Sequence, residues 1–297
     1  MRYNVLKVLA CFMVAIALIG AGCTSQEEGP TKETTKEPVR IGVIQWDDSR
    51  AGAYVFTGIL DEGGYEYETV SADVGGLYQA TAQGDIDVLI HTWLPVTQAS
   101  YWDKYGDSLN KAKVVSSGAK IGLVVPDYVY DSGITTVEDL KGNASKFDGK
   151  INGIEPGAGI MITSEKAVEE YNLEEYELYS SSTVGMATEL QDKIDNEEWI
   201  VATLWRPHWT FARMDGLHFL EDPKGVYGES DNLVILTRPG FEEDRPEFYQ
   251  LIQNYEMDLN DIESIMVAID EGKKPEQAAQ DWLAEHPEKY DEVLGTQ

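Results

Sequence analysis

From Val39 onward, short apolar runs alternate with helix-period stretches, and Gly or Pro closes several of them. This alternation limits the possible folds more than any other feature of the chain. The run Val39-Arg40-Ile41-Gly42-Val43-Ile44 predicts a strand, and residues 53–62 predict a helix that stops at Gly63-Gly64. Residues 65–70 alternate as a strand, 76–83 form a short helix ended by Gly84, and 86–90 (IDVLI) read as a buried strand. A β-α-β-α-β order with short loops needs a sheet covered by helices, so a parallel α/β sheet is expected. Residues 121–125 (IGLVV) predict a further buried strand, closed by Pro126.

The pattern then restarts. Residues 135–140 predict a cap and short helix, 150–154 a strand, 160–171 a helix and 176–180 a strand. A helix over 182–197, with Thr183 as its cap, precedes a strand over 199–204; LVIL follows at 233–236, and 248–282 reads as helical. Two α/β cassettes and a helical tail, with 122–125 and 233–236 placed to pass between them, predict a bilobal, hinged binding-protein fold with its ligand in the cleft.

The N-terminus reads as an address label. Arg2 and Lys7 precede an apolar stretch from Val8 to Ile19, then Gly20-Ala21-Gly22-Cys23. That is the charged, apolar and small-residue order of a secretory signal, too short for a comfortable membrane span. A Cys in this place resembles a lipoprotein signal, with Cys23 lipidated as the mature N-terminus. Gly20 departs from that pattern, where Leu is usual. An ordinary secreted protein and an uncleaved anchor are the alternatives. The expected division is a lipoprotein signal peptide at 1–22, a flexible tether at 23–38, one lobe from 39–122 and 233–297, and a second lobe from 123–232. The tether is polar and Thr/Glu/Lys-rich, with no apolar period.

Composition removes several functions. Asp and Glu number 53 against 23 Lys and Arg, a net charge of −30, so no nucleic-acid partner is expected. Two Cys, one of them inside the leader, build neither a disulfide framework nor a thiolate metal site. There is no His-Glu-x-x-His, Gly-x-Ser-x-Gly or phosphate-loop motif. No metal, cofactor or catalytic residue is therefore expected. Asp47-Asp48 follows a strand and reads as a solvated loop in preference to an acid pair.

The tryptophans carry more information. Trp46, Trp93 and Trp205 each end a predicted strand (VIQW, DVLIHTW, IVATLW). Ligands of open α/β sheets bind outside the carboxyl ends of strands, so three such indoles point to one cleft. Indole faces attract cations, and a quaternary ammonium has no N–H to offer a carboxylate; a box of aromatic rings supplies apolar contact and about 0.5–2 kcal/mol of cation–π attraction per ring. A zwitterion also needs an anion site. The glycine-rich 153–161 segment leads into a predicted helix whose first N–H groups suit a carboxylate.

These stretches resemble a known family. VIQWDDS (43–49), HTWLPVT (91–97), IGLVVP (121–126), GKINGIEPGAGIM (149–161), LWRPHW (204–209) and FLEDPKGVYG (219–228) are similar to the glycine betaine substrate-binding proteins of ABC-type osmolyte uptake systems. TTVEDL (135–140) and EGKKPEQAA (271–279) match too, so the resemblance spans about 40–285. It implies that Trp46, Trp93 and Trp205 box a trimethylammonium group and that the backbone N–H groups of Gly159 and Ile160 hold the ligand carboxylate. Gln98 stands where members often carry a carboxylate-binding His, which implies a neutral, pH-insensitive bond. His208 and Trp209 are then structural. The implied partners are glycine betaine or a related osmolyte, a membrane permease, and the membrane itself through the lipid. A choline- or carnitine-preferring binding protein and an extracellular choline-ester hydrolase are the other readings.

Overall fold

The computed structural model describes residues 37–295. The leader at 1–22, Cys23 and nearly all of the tether lie outside the described residues.

Nine strands are described: β1 (Val39–Ile44), β2 (Tyr67–Ala72), β3 (Val88–Leu94), β4 (Asn110–Pro126), β5 (Lys150–Asn152), β6 (Glu177–Tyr179), β7 (Ala202–Arg206), β8 (Leu217–Phe219) and β9 (Asp231–Thr237). The first three helices are α1 (Asp47–Glu62), α2 (Val74–Gln83) and α3 (Ala99–Tyr105). Between β4 and β9 lie α4 (Asp127–Tyr130), α5 (Gly159–Glu170), α6 (Thr183–Asp195) and α7 (Thr210–Arg213). The tail holds α8 (Phe241–Asp244), α9 (Pro246–Asn254), α10 (Leu259–Asp270), α11 (Pro275–Glu285) and α12 (Glu288–Leu294).

The strand order is β2-β1-β3-β9-β4-β7-β5-β6, with β8 on β4. β1 runs parallel to both β2 and β3, as the β-α-β-α-β pattern predicts. The sheet as a whole is mixed rather than parallel, because β9 lies antiparallel between β3 and β4. The reason is topological: β4 carries the chain out of the first lobe and β9 brings it back, so the two must run in opposite directions. β4 pairs with β9 as far as Ala119↔Asp231, then with β7 from Lys120↔Arg206 onward. Its pairing with β9 shifts register three times over this course, and Gly118 takes the left-handed φ of +90 beside the changeover. The predicted strand at 121–125 is only the buried end of β4. The lysine-bearing start at Asn110–Lys113, exposed or half-buried, carries no apolar run to reveal it.

In the first lobe, α1 places Ala51, Val55, Phe56, Ile59 and Leu60 on one buried stripe, the i, i+3/i+4 spacing of a core-facing helix. Phe56 meets Phe248 of α9 and Tyr255, with centroids 6.0 and 5.0 Å away. Burying one such ring stabilises the fold by about 2–3 kcal/mol, which ties the tail onto this lobe. The tail is not continuous helix: it breaks after Asn254, where the Asp258 carboxylate caps α10 through the Asn260 N–H, and again before Pro275. In the second lobe Ser182, not Thr183, caps α6, accepting from the Gly185 N–H. Thr183 is thereby freed to bond elsewhere.

Candidate functional site

The three strand-end tryptophans lie in or just after strands. Trp46 follows β1 and is the N-cap of α1, in extended conformation (φ −84, ψ 150). Trp93 lies within β3, whose seven residues are all buried, opposite Leu233 of β9. Trp205 lies in β7, opposite Ile121 of β4. All three line one cavity of about 290 Å³, its opening included. Gly159 and Ile160, the first two residues of α5, line it as well, with Asp48, Thr97, Ile121, Ile154 and Ala158. Trp93 and Trp205 are only 3% and 5% exposed; Trp46 is half-buried.

Two indole edges are tied to carboxylates. The Trp93 N–H donates to Asp48 Oδ2 at 2.9 Å, and the Trp46 N–H donates to Glu155 Oε1. Asp48 is not in a solvated loop, as its sequence neighbourhood predicted, but in the first turn of α1 and 1% exposed. Burial pushes its carboxyl up to about 6, against the opposing Trp93 hydrogen bond. Its Oδ1 has no hydrogen-bond partner among the described residues. The helix N-terminus offsets part of the cost of a buried anion. Its place in the first turn of a helix, two residues after Trp46, is the only trace of this role in the sequence.

The start of α5 lines the cavity with backbone. Ala158 is the N-cap of α5 and makes no side-chain cap bond; Met161 and Ile162 N–H return to the Ala158 carbonyl. A helix start leaves its first N–H groups without intrahelical acceptors, so those of Gly159 and Ile160 stay available at the positive end of the dipole. Gly159 is glycine for a steric reason. A Cβ there would stand 1.9 Å from the Thr97 carbonyl oxygen, so the two lobes touch backbone to backbone at this point.

Gln98 is fully buried but does not line the cavity; its neighbour Thr97 does. Its Oε1 accepts from the Tyr78 hydroxyl at 2.9 Å and from the Trp93 backbone N–H at 3.2 Å, while Nε2 has no partner among the described residues. Tyr78 and Trp93 together therefore set which end of the amide is left free.

The buried histidines are neutral. His208 packs edge-on against Trp205 (centroids 4.6 Å, 82°), accepts from the Thr210 N–H, and burial lowers it to about 3. Burial likewise lowers His91 to about 4. Such groups do not gain charge near neutrality. Trp282 is a core residue, and Trp199 packs on Phe147 at 5.2 Å. The lining is apolar and aromatic, with one carboxylate at one part and two backbone donors at another. That arrangement suits a compact cation carrying an anionic tail.

Comparison with known proteins agrees. The family model described as the substrate-binding domain of the ABC-type glycine betaine transport system matches residues 37–285. The glycine betaine/carnitine transport binding protein GbuC of Listeria monocytogenes is 39% identical over 141 residues, 47% of each chain, so that match spans about half of the Listeria protein. Lactococcal OpuAC, solved closed with glycine betaine, is 35% identical with a TM-score of 0.82 and covers 87% of this chain and 100% of its own. An ABC-transporter choline-binding protein solved with choline is 28% identical with a TM-score of 0.81, covering 87% of this chain and 92% of its own. These matches are to bilobal binding proteins, as the alternating sequence predicted.

Proposed function

The chain belongs to the family of substrate-binding domains of ABC-type glycine betaine transport systems, and from that premise we propose that it captures glycine betaine outside the cytoplasm and hands it to a membrane permease. In this reading Trp46, Trp93 and Trp205 surround the trimethylammonium group, and the Gly159 and Ile160 N–H groups receive the carboxylate. The observation that carries it is the meeting of three indoles and the start of α5 around one small cavity. Gln98 acts from behind, through the Trp93 backbone and its free amide.

A lipid on Cys23 holds the protein at the membrane, with 23–38 as the tether. Among the described residues no helix is long and apolar enough to cross a membrane. The lobes divide as 39–122 with 233–297, and 123–232; the sheet changeover between Ala119 and Lys120 supports a boundary close to the first of these.

A choline-preferring protein is the second reading. It is favoured by Asp48, whose buried carboxylate lines the cavity with Oδ1 unpartnered among the described residues. Titration calorimetry with glycine betaine, proline betaine, choline and carnitine separates the two. One-to-one binding tightest for glycine betaine is expected; no binding of it at millimolar concentration overturns the reading, and choline binding more tightly selects the second. Turnover of a choline ester would point to an enzyme instead.

A further inference from the structure

Two cage indoles are anchored in different ways. Trp93 donates to Asp48, a residue of its own lobe, in a fully buried bond. Trp46 makes its side-chain hydrogen bond across the cleft, to Glu155 in the loop between β5 and α5. Glu155 is itself held on its own side, since Oε2 accepts from the Thr183 hydroxyl at 3.2 Å. Two residues further on, the Gly157 carbonyl accepts from the Tyr101 hydroxyl of α3 at 2.7 Å, a second bond between the lobes. The Tyr101 ring stacks on Tyr78 at 5.5 Å, and Tyr78 in turn holds Gln98. Trp46, Tyr101, Glu155 and Gly157 also border a second recess of about 550 Å³ beside the cage cavity.

We propose that Glu155 is a positioning residue that fixes the Trp46 wall of the cage only when the lobes meet, and so governs ligand release. The proposal rests on the ligand reading above. Thr183 holds the carboxylate ready on the second lobe, and closure delivers it to the Trp46 N–H. A charged acceptor makes this a stronger bond than a neutral one, and its negative charge at the indole edge adds to the negative potential that the ring face offers a cation. In the separated lobes Trp46 has no such anchor and is free to turn, so encounter with ligand does not depend on Glu155 but escape does.

The test is stopped-flow tryptophan fluorescence and calorimetry on the full-length protein with glycine betaine and with choline. Glu155→Ala should raise the dissociation rate about tenfold, as expected for losing one charge-assisted hydrogen bond, with the association rate changed less than about twofold. Glu155→Gln, which keeps an acceptor oxygen, should recover part of the loss, and Thr183→Val should show a smaller loss of the same kind. In a Trp46→Phe background, which has no indole N–H, Glu155→Ala should add less than about twofold. Dissociation unchanged by both Glu155 variants, or an equal effect of Glu155→Ala in the Trp46→Phe background, overturns the proposal while leaving the ligand reading intact. Failure of the unmutated protein to bind either ligand overturns both.

Discussion

Gly159→Ala adds a single methyl group at the point where the lobes touch. That carbon would stand 1.9 Å from the Thr97 carbonyl oxygen and 2.6 Å from its carbon, where ordinary contact begins near 3.4 Å. Both obstacles are backbone, so no rotamer change relieves them, and the lobes must separate by roughly 1.5 Å. A shift of that size takes the Tyr101–Gly157 bond, now 2.7 Å, out of hydrogen-bonding range and loosens Trp46 from Glu155. Losing one neutral and one charge-assisted bond costs about 3 kcal/mol, or about a hundredfold in affinity. The ligand-free protein has no need to bring these atoms together, and Ala is a better helix residue than Gly. Its unfolding midpoint in urea should therefore hold or rise slightly. Calorimetry beside urea unfolding makes the comparison. An affinity within about threefold of the parent would show that the backbone contact is no part of the bound state.

Three further outcomes are expected. Trp93→Ala or Trp205→Ala should weaken binding more than tenfold in calorimetry, through lost apolar contact and about 0.5–2 kcal/mol of cation–π attraction; unchanged affinity would remove them from the site. Asp48, raised from 3.8 to about 6 by burial, holds its proton more tightly folded than unfolded, so it makes the free protein less stable as pH rises from 3.8 to about 6 and has no further effect above. Asp48→Asn, which keeps an acceptor for the Trp93 N–H, should remove that component from the pH dependence of urea unfolding. If Asp48 faces the cation, affinity in the parent should fall below about pH 6 and stay flat in the variant; matching profiles would exclude the carboxylate from binding. Gln98→Leu strands two buried donors, the Tyr78 hydroxyl and the Trp93 N–H, and should lower unfolding free energy by about 2–4 kcal/mol; a loss below 1 kcal/mol would mean that neither bond matters.

Period and punctuation were enough to find β1, α1, β3 and α5, because each is an apolar run or stripe bounded by Gly, Pro or a cap. They were also enough to find the three tryptophans, which stand at the ends of such runs. What pattern cannot carry is contact between segments far apart in the chain. The start of β4 has no apolar period because Asn110–Val114 are exposed or half-buried, and it is a strand only through pairing with β9, which arrives from more than a hundred residues away. Asp48 looks solvated beside Asp47 in sequence, yet α1 turns it inward onto an indole that β3 supplies. Glu155 reads as one acid among 53 until the fold sets it against Trp46. Residue type and local spacing alone carried most of the elements, the two-lobed plan and the choice of the three tryptophans. Only the fold reveals which carboxylates accept from Trp46 and Trp93, and why Gly159 must be glycine. Those depend on distances between segments far apart in the chain, and hydrogen bonds and steric contact act only at a few ångströms.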